Sequence, residues 1–164
     1  MPEMTQTLPR THAERPAATP RQDEGPRQAQ LNPVLAWAAA LLALGVAWIH
    51  VIDQGGLPGS KDPAYVGQGY WALELVAVVV AVALIVRRSR RQVTTWLAVG
   101  AVAAGPLVGF VLSRGPGMPG YTDDRGNWTE PIGLISMAVE GLLLLLAVAS
   151  IRILRSRSGA TSRT

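Results

Sequence analysis

The sequence contains no cysteine among its 164 residues. That absence excludes disulfides, thiolate metal sites, thiol redox catalysis and c-type haem attachment. Several short catalytic signatures are also missing, because the chain has no P-loop, no dinucleotide-binding glycine pattern, no nucleophile elbow and no HExxH pair. We therefore expect a protein that is not an enzyme, holds no metal and carries no cofactor.

Charge is scarce and unevenly placed. Charged residues make up 16% of the chain and hydrophobic residues 49%, and the polar residues concentrate in the first 32 positions and the last dozen. The net charge of +4 comes from basic residues at the edges of apolar runs. That arrangement is typical of membrane orientation rather than of a face that binds nucleic acid, so the expected partner is the lipid bilayer and no nucleic acid.

Four apolar runs dominate the middle of the chain, at residues 33–52, 66–86, 93–112 and 131–151. Each covers about 20 residues, which at ~1.5 Å per residue matches a hydrocarbon core of ~30 Å. None alternates polar and apolar positions, so outer-membrane strands fit poorly. The sequence predicts an all-α fold: a four-transmembrane-helix bundle formed by residues 33–153.

The basic residues also predict an orientation. Twelve of the fifteen Lys and Arg residues lie in the N-terminal tail, in the RRSRR link between the second and third runs, and after the fourth run. The other three are Lys61, Arg114 and Arg125, in the two longer loops. Positive charge favours the cytoplasmic side, so both termini are expected in the cytoplasm and both longer loops outside. The expected location is a bacterial inner (plasma) membrane, crossed several times.

The two ends of the chain differ from the middle in composition. Residues 1–32 are rich in Pro, Gln, Thr and Arg and poor in apolar residues. Such a segment cannot bury enough surface to fold, so a disordered cytoplasmic tail is expected there. It does not resemble a signal peptide, because the apolar run begins too late and is too long. Residues 154–164 are expected to form a second, basic cytoplasmic tail.

Polar residues inside the runs are the main pointer to a site. Glu140 lies nine residues after Pro131, and Glu74 twelve residues before the end of the second run at position 86. Helical rise therefore places both carboxyls about 12–13 Å below the outer surface of the bilayer. His50 lies nearer that surface, with Asp53 one turn further on. Because buried charge is costly in lipid, we expect these four residues to form a polar, outward-facing intramembrane pocket.

Three interpretations of this pocket remain open. The polar side chains could tie the helices together, or bind or move a proton, a cation or a small ligand, or hold a metal in an enzyme site. The spacing of metal-binding motifs is absent, which disfavours the third. The leading hypothesis is a non-enzymatic membrane protein with a polar pocket. The alternative is a small transporter-like protein, or one that handles metal or protons, using Glu74 and Glu140. The sequence does not specify a partner protein or an oligomeric state.

The loop before the fourth run, GMPGYTDDRGNWTEP, is rich in turn-forming residues. Its Asp and Asn residues lack the spacing of a calcium-binding loop. The sequence predicts an irregular loop with Trp128 anchored at the membrane interface. Four other aromatic side chains of the spans, Trp37, Trp48, Trp71 and Trp96, are expected at an interface for the same reason, as is Tyr70.

Three segments together resemble a family of small actinobacterial integral membrane proteins of unknown function. They are AWIHVIDQ, GYWALEL and the stretch from SRGPGMPG through GNWTEP to the fourth run. In that family a His in the first span, a loop of this type and a Glu in the fourth span recur. They correspond here to His50, residues 113–131 and Glu140. The resemblance covers about residues 33–155 and implies four spans and an outer cluster at these positions, but no activity.

Overall fold

The computed structural model describes residues 33–86 and 89–161, with side chains as far as residue 156. Four long helices make up this part of the chain: α1 (Pro33–Asp53), α2 (Ala64–Ile85), α3 (Val93–Arg114) and α4 (Pro131–Thr161). All four are long and apolar enough to cross a membrane, which confirms the all-helical, four-span prediction. The predicted N-terminal tail, residues 1–32, lies outside the described residues.

The helix boundaries follow local sequence signals. Pro33 and Pro131 occupy the first positions of α1 and α4, where a missing N–H costs nothing. α3 ends at Arg114 and is followed by Gly115. α4 continues to Thr161, ten residues beyond the predicted end of the fourth span at 151, because the sequence IRILRSRS contains no residue that stops a helix.

Small residues bring the helices together. Along α1, the buried positions include five alanines: Ala36, Ala39, Ala40, Ala43 and Ala47. Similar residues face them from the other helices, and small side chains let helix backbones approach closely. α1 packs on α2 and on α4, and α3 packs on α4, whereas α2 and α3 pack against each other only sparsely. The bundle is therefore closed on three sides and loose along the fourth.

The outer surface of the bundle is apolar. Leu41, Leu75 and Leu145 are each about two-thirds exposed, and large hydrophobic side chains are exposed along all four helices. A water-soluble bundle would turn such residues inward, because exposed apolar surface on this scale is unfavourable in water. The surface suits a hydrocarbon environment, in agreement with four membrane-spanning helices.

Two longer loops meet at one end of the bundle, here called the loop end: residues 54–63 and residues 115–130. The second loop is folded rather than loose. Met118 and Tyr121 exchange backbone hydrogen bonds of 2.9 and 3.0 Å across a turn in which Gly120 has φ = 69°. The Tyr65 hydroxyl of α2 donates to the carbonyl of Pro119 at 2.8 Å. These bonds hold the loop against the ends of the helices.

A pair of glycines in α4 provides a test of this packing. A Cβ added at Gly133 would lie 2.6 Å from Cε2 of Phe110, whose ring also contacts Trp128 and Arg114 and so cannot turn aside freely. We expect Gly133→Ala to lower the free energy of unfolding by about 1–3 kcal/mol through overpacking. At Gly141, an added Cβ meets nothing within 4 Å. Gly141→Ala should raise stability by up to about 1 kcal/mol, since Ala favours helix.

Thermal unfolding of the two variants in detergent measures this difference. Equal effects of the two substitutions would show that α3 and α4 do not pack closely at Gly133.

Candidate functional site

A cavity of about 340 Å³ lies at the loop end, between all four helices and the loop of residues 115–130. Its size falls within the range of small-ligand sites. Apolar side chains form much of its wall. Its polar wall residues come from every helix and from the loop: His50, Asp53, Tyr65, Tyr70, Ser113, Arg114, Tyr121, Asp124, Glu130, Ser136 and Glu140.

Glu140 and His50, here called the floor pair, are the most buried of the charged and titratable wall residues. Glu140 is only 1% exposed, and its Oε1 accepts a 2.5 Å hydrogen bond from the hydroxyl of Ser136, one helical turn earlier. His50 is also buried, and its Nδ1 lies 2.9 Å from the carbonyl oxygen of Val46. Because that carbonyl can only accept, Nδ1 carries the proton.

The remaining nitrogen of His50 is aimed at the carboxyl group. Nε2 lies 3.9 Å from Oε1 of Glu140, which is too long for a hydrogen bond. In the described part of the chain Nε2 has no other hydrogen-bond partner. The floor pair thus presents a carboxyl group and an imidazole nitrogen that can both accept hydrogen bonds from a third group.

One wall of the cavity is formed by Asp53 and Tyr70. The Tyr70 hydroxyl donates to Oδ2 of Asp53, and Nζ of Lys61 lies 3.3 Å from Oδ1 of the same carboxylate. The Tyr70 ring meets the His50 ring edge to face, with centroids 5.1 Å apart. These contacts fix the orientation of Tyr70 beside the floor pair and neutralise the charge of Asp53.

The opposite wall is built around Arg114, the last residue of α3. Its guanidinium donates to Glu130 and, at 3.1 Å, to Oδ2 of Asp124, and it lies 4.4 Å from the centre of the Phe110 ring. The Tyr121 hydroxyl donates to the same Asp124 oxygen at 2.7 Å. Burial raises the pKa of Tyr121, and the hydrogen bond to Asp124 raises it further, so the phenol stays neutral.

The charges around the cavity do not cancel. Asp53 is paired with Lys61, and Asp124 and Glu130 share Arg114. Among the described residues, Glu140 is the wall carboxyl with neither a Lys nor an Arg partner. A cavity with this imbalance attracts cations and hydrogen-bond donors, because a buried carboxyl is costly without a partner.

The structure brings together three of the four residues predicted to form the pocket. His50, Asp53 and Glu140 line the cavity, whereas Glu74 is not part of its wall. Glu74 is buried and accepts a 2.8 Å hydrogen bond from Nε2 of Gln54, the residue that follows α1. Glu74 therefore links α2 to the end of α1, away from the floor pair.

Among the polar wall residues that the sequence did not identify as part of the site, four belong to the end of α3 or to the loop that was expected to be merely rich in turns: Arg114, Tyr121, Asp124 and Glu130. The density of Asp, Glu and Arg around residues 121–130 was the available signal. It did not show that Arg114 would be buried and would gather two carboxylates from the loop.

Neither a metal site nor a pore is formed by the residues that the structure describes. No group of three or more His, Asp or Glu side chains is arranged there to hold a metal ion. Beyond Glu140 the interior is apolar: Leu143 and Ala147 of α4 and Val99 and Val102 of α3 are at most 3% exposed. The only buried polar side chain described on that side is Ser150. The cavity is closed at its base.

No protein-family model, curated protein or solved structure matches this chain.

Proposed function

We propose that this chain is a non-enzymatic, multi-pass protein of a bacterial plasma membrane that binds a small organic cation in an outward-facing cavity. The observation that carries the proposal is Glu140, buried at the cavity floor without a Lys or Arg partner among the described residues. An ammonium group there would give the carboxyl its missing charge partner and could donate a hydrogen bond to Nε2 of His50.

The orientation rests on the basic residues. Lys and Arg residues accumulate in the link between α2 and α3 and after α4, opposite the loop end. This bias favours a cytoplasmic position for both termini and an external position for the loop end. The cavity then receives its ligand from outside the cell.

Binding is a better account of the geometry than catalysis or transport. The rim carboxylates of the cavity are already engaged by Arg114 and Lys61. The wall hydroxyl beside Glu140, that of Ser136, bonds to a carboxyl and not to an imidazole. Transport would require a second, inward-open conformation, and the apolar layer beyond Glu140 favours a closed base. Glu74, which the transporter alternative pairs with Glu140, bonds to Gln54 and is not part of the cavity wall.

A comparison of two ligands of equal chain length tests the proposal. We expect n-butylammonium to bind the purified protein in phosphatidylcholine nanodiscs with saturable heat in calorimetry. The neutral analogue n-butanol should bind at least about tenfold more weakly, because it has no positive charge to pair with Glu140. Equal affinities for the two ligands would contradict a cation site. If neither ligand gives binding heat, the proposed function is wrong.

The orientation has its own test. A cytoplasm-specific reporter fused after Arg157 should be active, and the same reporter inserted near Ser60 should be silent, because the twelve clustered basic residues face the cytoplasm. A reporter that works only in an external compartment should give the reverse result at both positions. The opposite pattern would place the cavity on the cytoplasmic side.

A further inference from the structure

The cavity has a lateral side as well as a mouth. Its wall includes three glycines on the sparsely packed side of the bundle: Gly69 of α2 and Gly105 and Gly109 of α3. Gly69 and Gly105 are exposed although they line the cavity. A Cβ added at any of the three would meet nothing within 4 Å. We call this gap between α2 and α3 the seam.

The seam lies at the depth of the hydrocarbon core. Gly69 is five residues into α2, and Gly105 is nine residues before the end of α3 at Arg114. At helical rise these positions lie ~7 and ~13 Å below the loop end of their helices. In a bilayer with a core of ~30 Å, the seam opens to acyl chains rather than to water.

The side chains beside the seam suit contact with acyl chains. Leu73 of α2 and Pro106 and Phe110 of α3 line this part of the cavity. The floor pair comes from α1 and α4, which pack on each other across the bundle from the seam. The buried carboxyl and imidazole of the cavity therefore lie on the α1–α4 side. The α2–α3 side combines this apolar stretch beside the seam with the polar residues Tyr65, Tyr70, Ser113 and Arg114.

We propose that the natural ligand is an amphipathic amine: its ammonium group lies at Glu140 and His50, and its alkyl chain leaves through the seam into the bilayer. This inference rests on the proposed cation site and specifies the class of its ligand. An alkyl chain is the occupant that fits, because only hydrocarbon surrounds a gap at this depth. Nε2 of the buried His50, which has no hydrogen-bond partner among the described residues, and the carboxyl of Glu140, which has no Lys or Arg partner there, supply the polar end.

Photo-crosslinking tests the path of the chain. The probe is dodecylamine with a diazirine at the far end of its chain, incorporated into phosphatidylcholine nanodiscs with the full-length protein. We expect adducts to concentrate on residues of α2 and α3 beside the seam. Excess dodecylamine should remove at least about four-fifths of this labelling, and excess dodecanol should not, because only the amine occupies the floor pair.

A matched pair of glycine variants separates the seam from general lipid contact. Gly105→Phe places a ring at a position where an added Cβ meets nothing within 4 Å, and should lower seam labelling at least tenfold. Gly141→Phe adds the same ring on α4, outside the cavity wall, and should leave labelling unchanged. n-Butylammonium should bind Gly141→Phe within about twofold of the unmodified protein, because Gly141 lies outside the cavity wall.

The outcomes distinguish this inference from the function on which it rests. If n-butylammonium binds but the long-chain probe labels all four helices evenly, the seam is not a ligand path and only the cation site stands. If n-butylammonium does not bind, both proposals fail. If the seam is instead covered by a second copy of the chain, the probe will not label it and α2 will crosslink to α3 of another copy, which also overturns the inference.

Discussion

Glu140→Gln should weaken the binding of n-butylammonium at least thirtyfold while leaving the stability of the bundle nearly unchanged. Glutamine keeps the size of the side chain and can still accept the hydrogen bond from Ser136. It loses the negative charge, which for a buried partner corresponds to about 2 kcal/mol of binding energy or more. Calorimetry measures the affinity, and thermal unfolding in the same nanodiscs measures the stability.

Glu74→Gln is the matched control for this substitution. Glu74 is also a buried carboxyl, 7% exposed, but it bonds to Gln54 and does not line the cavity. Its replacement should change the affinity for n-butylammonium less than twofold. An equal loss in the two variants would show that the affinity reflects the total charge of the bundle, and not a cation seated at Glu140.

Arg114→Met should produce the largest loss of stability among single substitutions at the loop end, about 2–3 kcal/mol. The change removes the shared partner of Asp124 and Glu130 and leaves both carboxylates uncompensated. Breaking a fully buried ion pair costs about 3–5 kcal/mol, and the cost is reduced here because the two carboxylates are 23% and 29% exposed. Arg91→Met removes an exposed Arg and should change stability by less than about 0.5 kcal/mol.

A triple variant tests whether the two unpaired carboxylates cause this loss of stability. Adding Asp124→Asn and Glu130→Gln to Arg114→Met removes the two charges that the first substitution left without a partner. More than half of the lost stability should return, because a neutral amide is far cheaper to leave unpaired than a carboxylate. Failure of the triple variant to recover would mean that Arg114 stabilises the loop end through its contacts with Phe110 and Ser113.

The helices were predictable from the sequence because crossing a bilayer imposes a length and a composition that each apolar run displays. The faces of the helices were only partly predictable. Glu140 and His50 face inward as expected, because a single carboxyl in an apolar run has few acceptable positions in lipid. Tyr70 and Trp96 were expected at a membrane interface, a height that stays a prediction. Both side chains turn into the bundle: Tyr70 packs on His50, and Trp96 is fully buried, its indole nitrogen donating to the Arg90 carbonyl.

The position of Glu74 shows why the contacts of the site could not be derived from the sequence. Helical rise gives the height of a residue in the membrane, but height does not specify which neighbouring helix its side chain meets. Glu74 meets Gln54, the residue just after the end of α1, and a contact of this kind leaves no periodic signal. The Arg114 cluster is similarly hidden, because it joins residues 10 and 16 positions apart through a loop without regular secondary structure.

The central claim is that a cation binds beside Glu140 and His50, and the imidazole of His50 reports on it directly. The chain has only two histidines, so ¹⁵N-labelled His gives two sets of ring signals, which His50→Gln assigns. Addition of n-butylammonium should shift the His50 signals saturably, with the affinity found by calorimetry, and should leave those of His12 in place. The same titration of Glu140→Gln should move neither set. Binding heat without any response at His50 would place the ligand elsewhere and contradict the account.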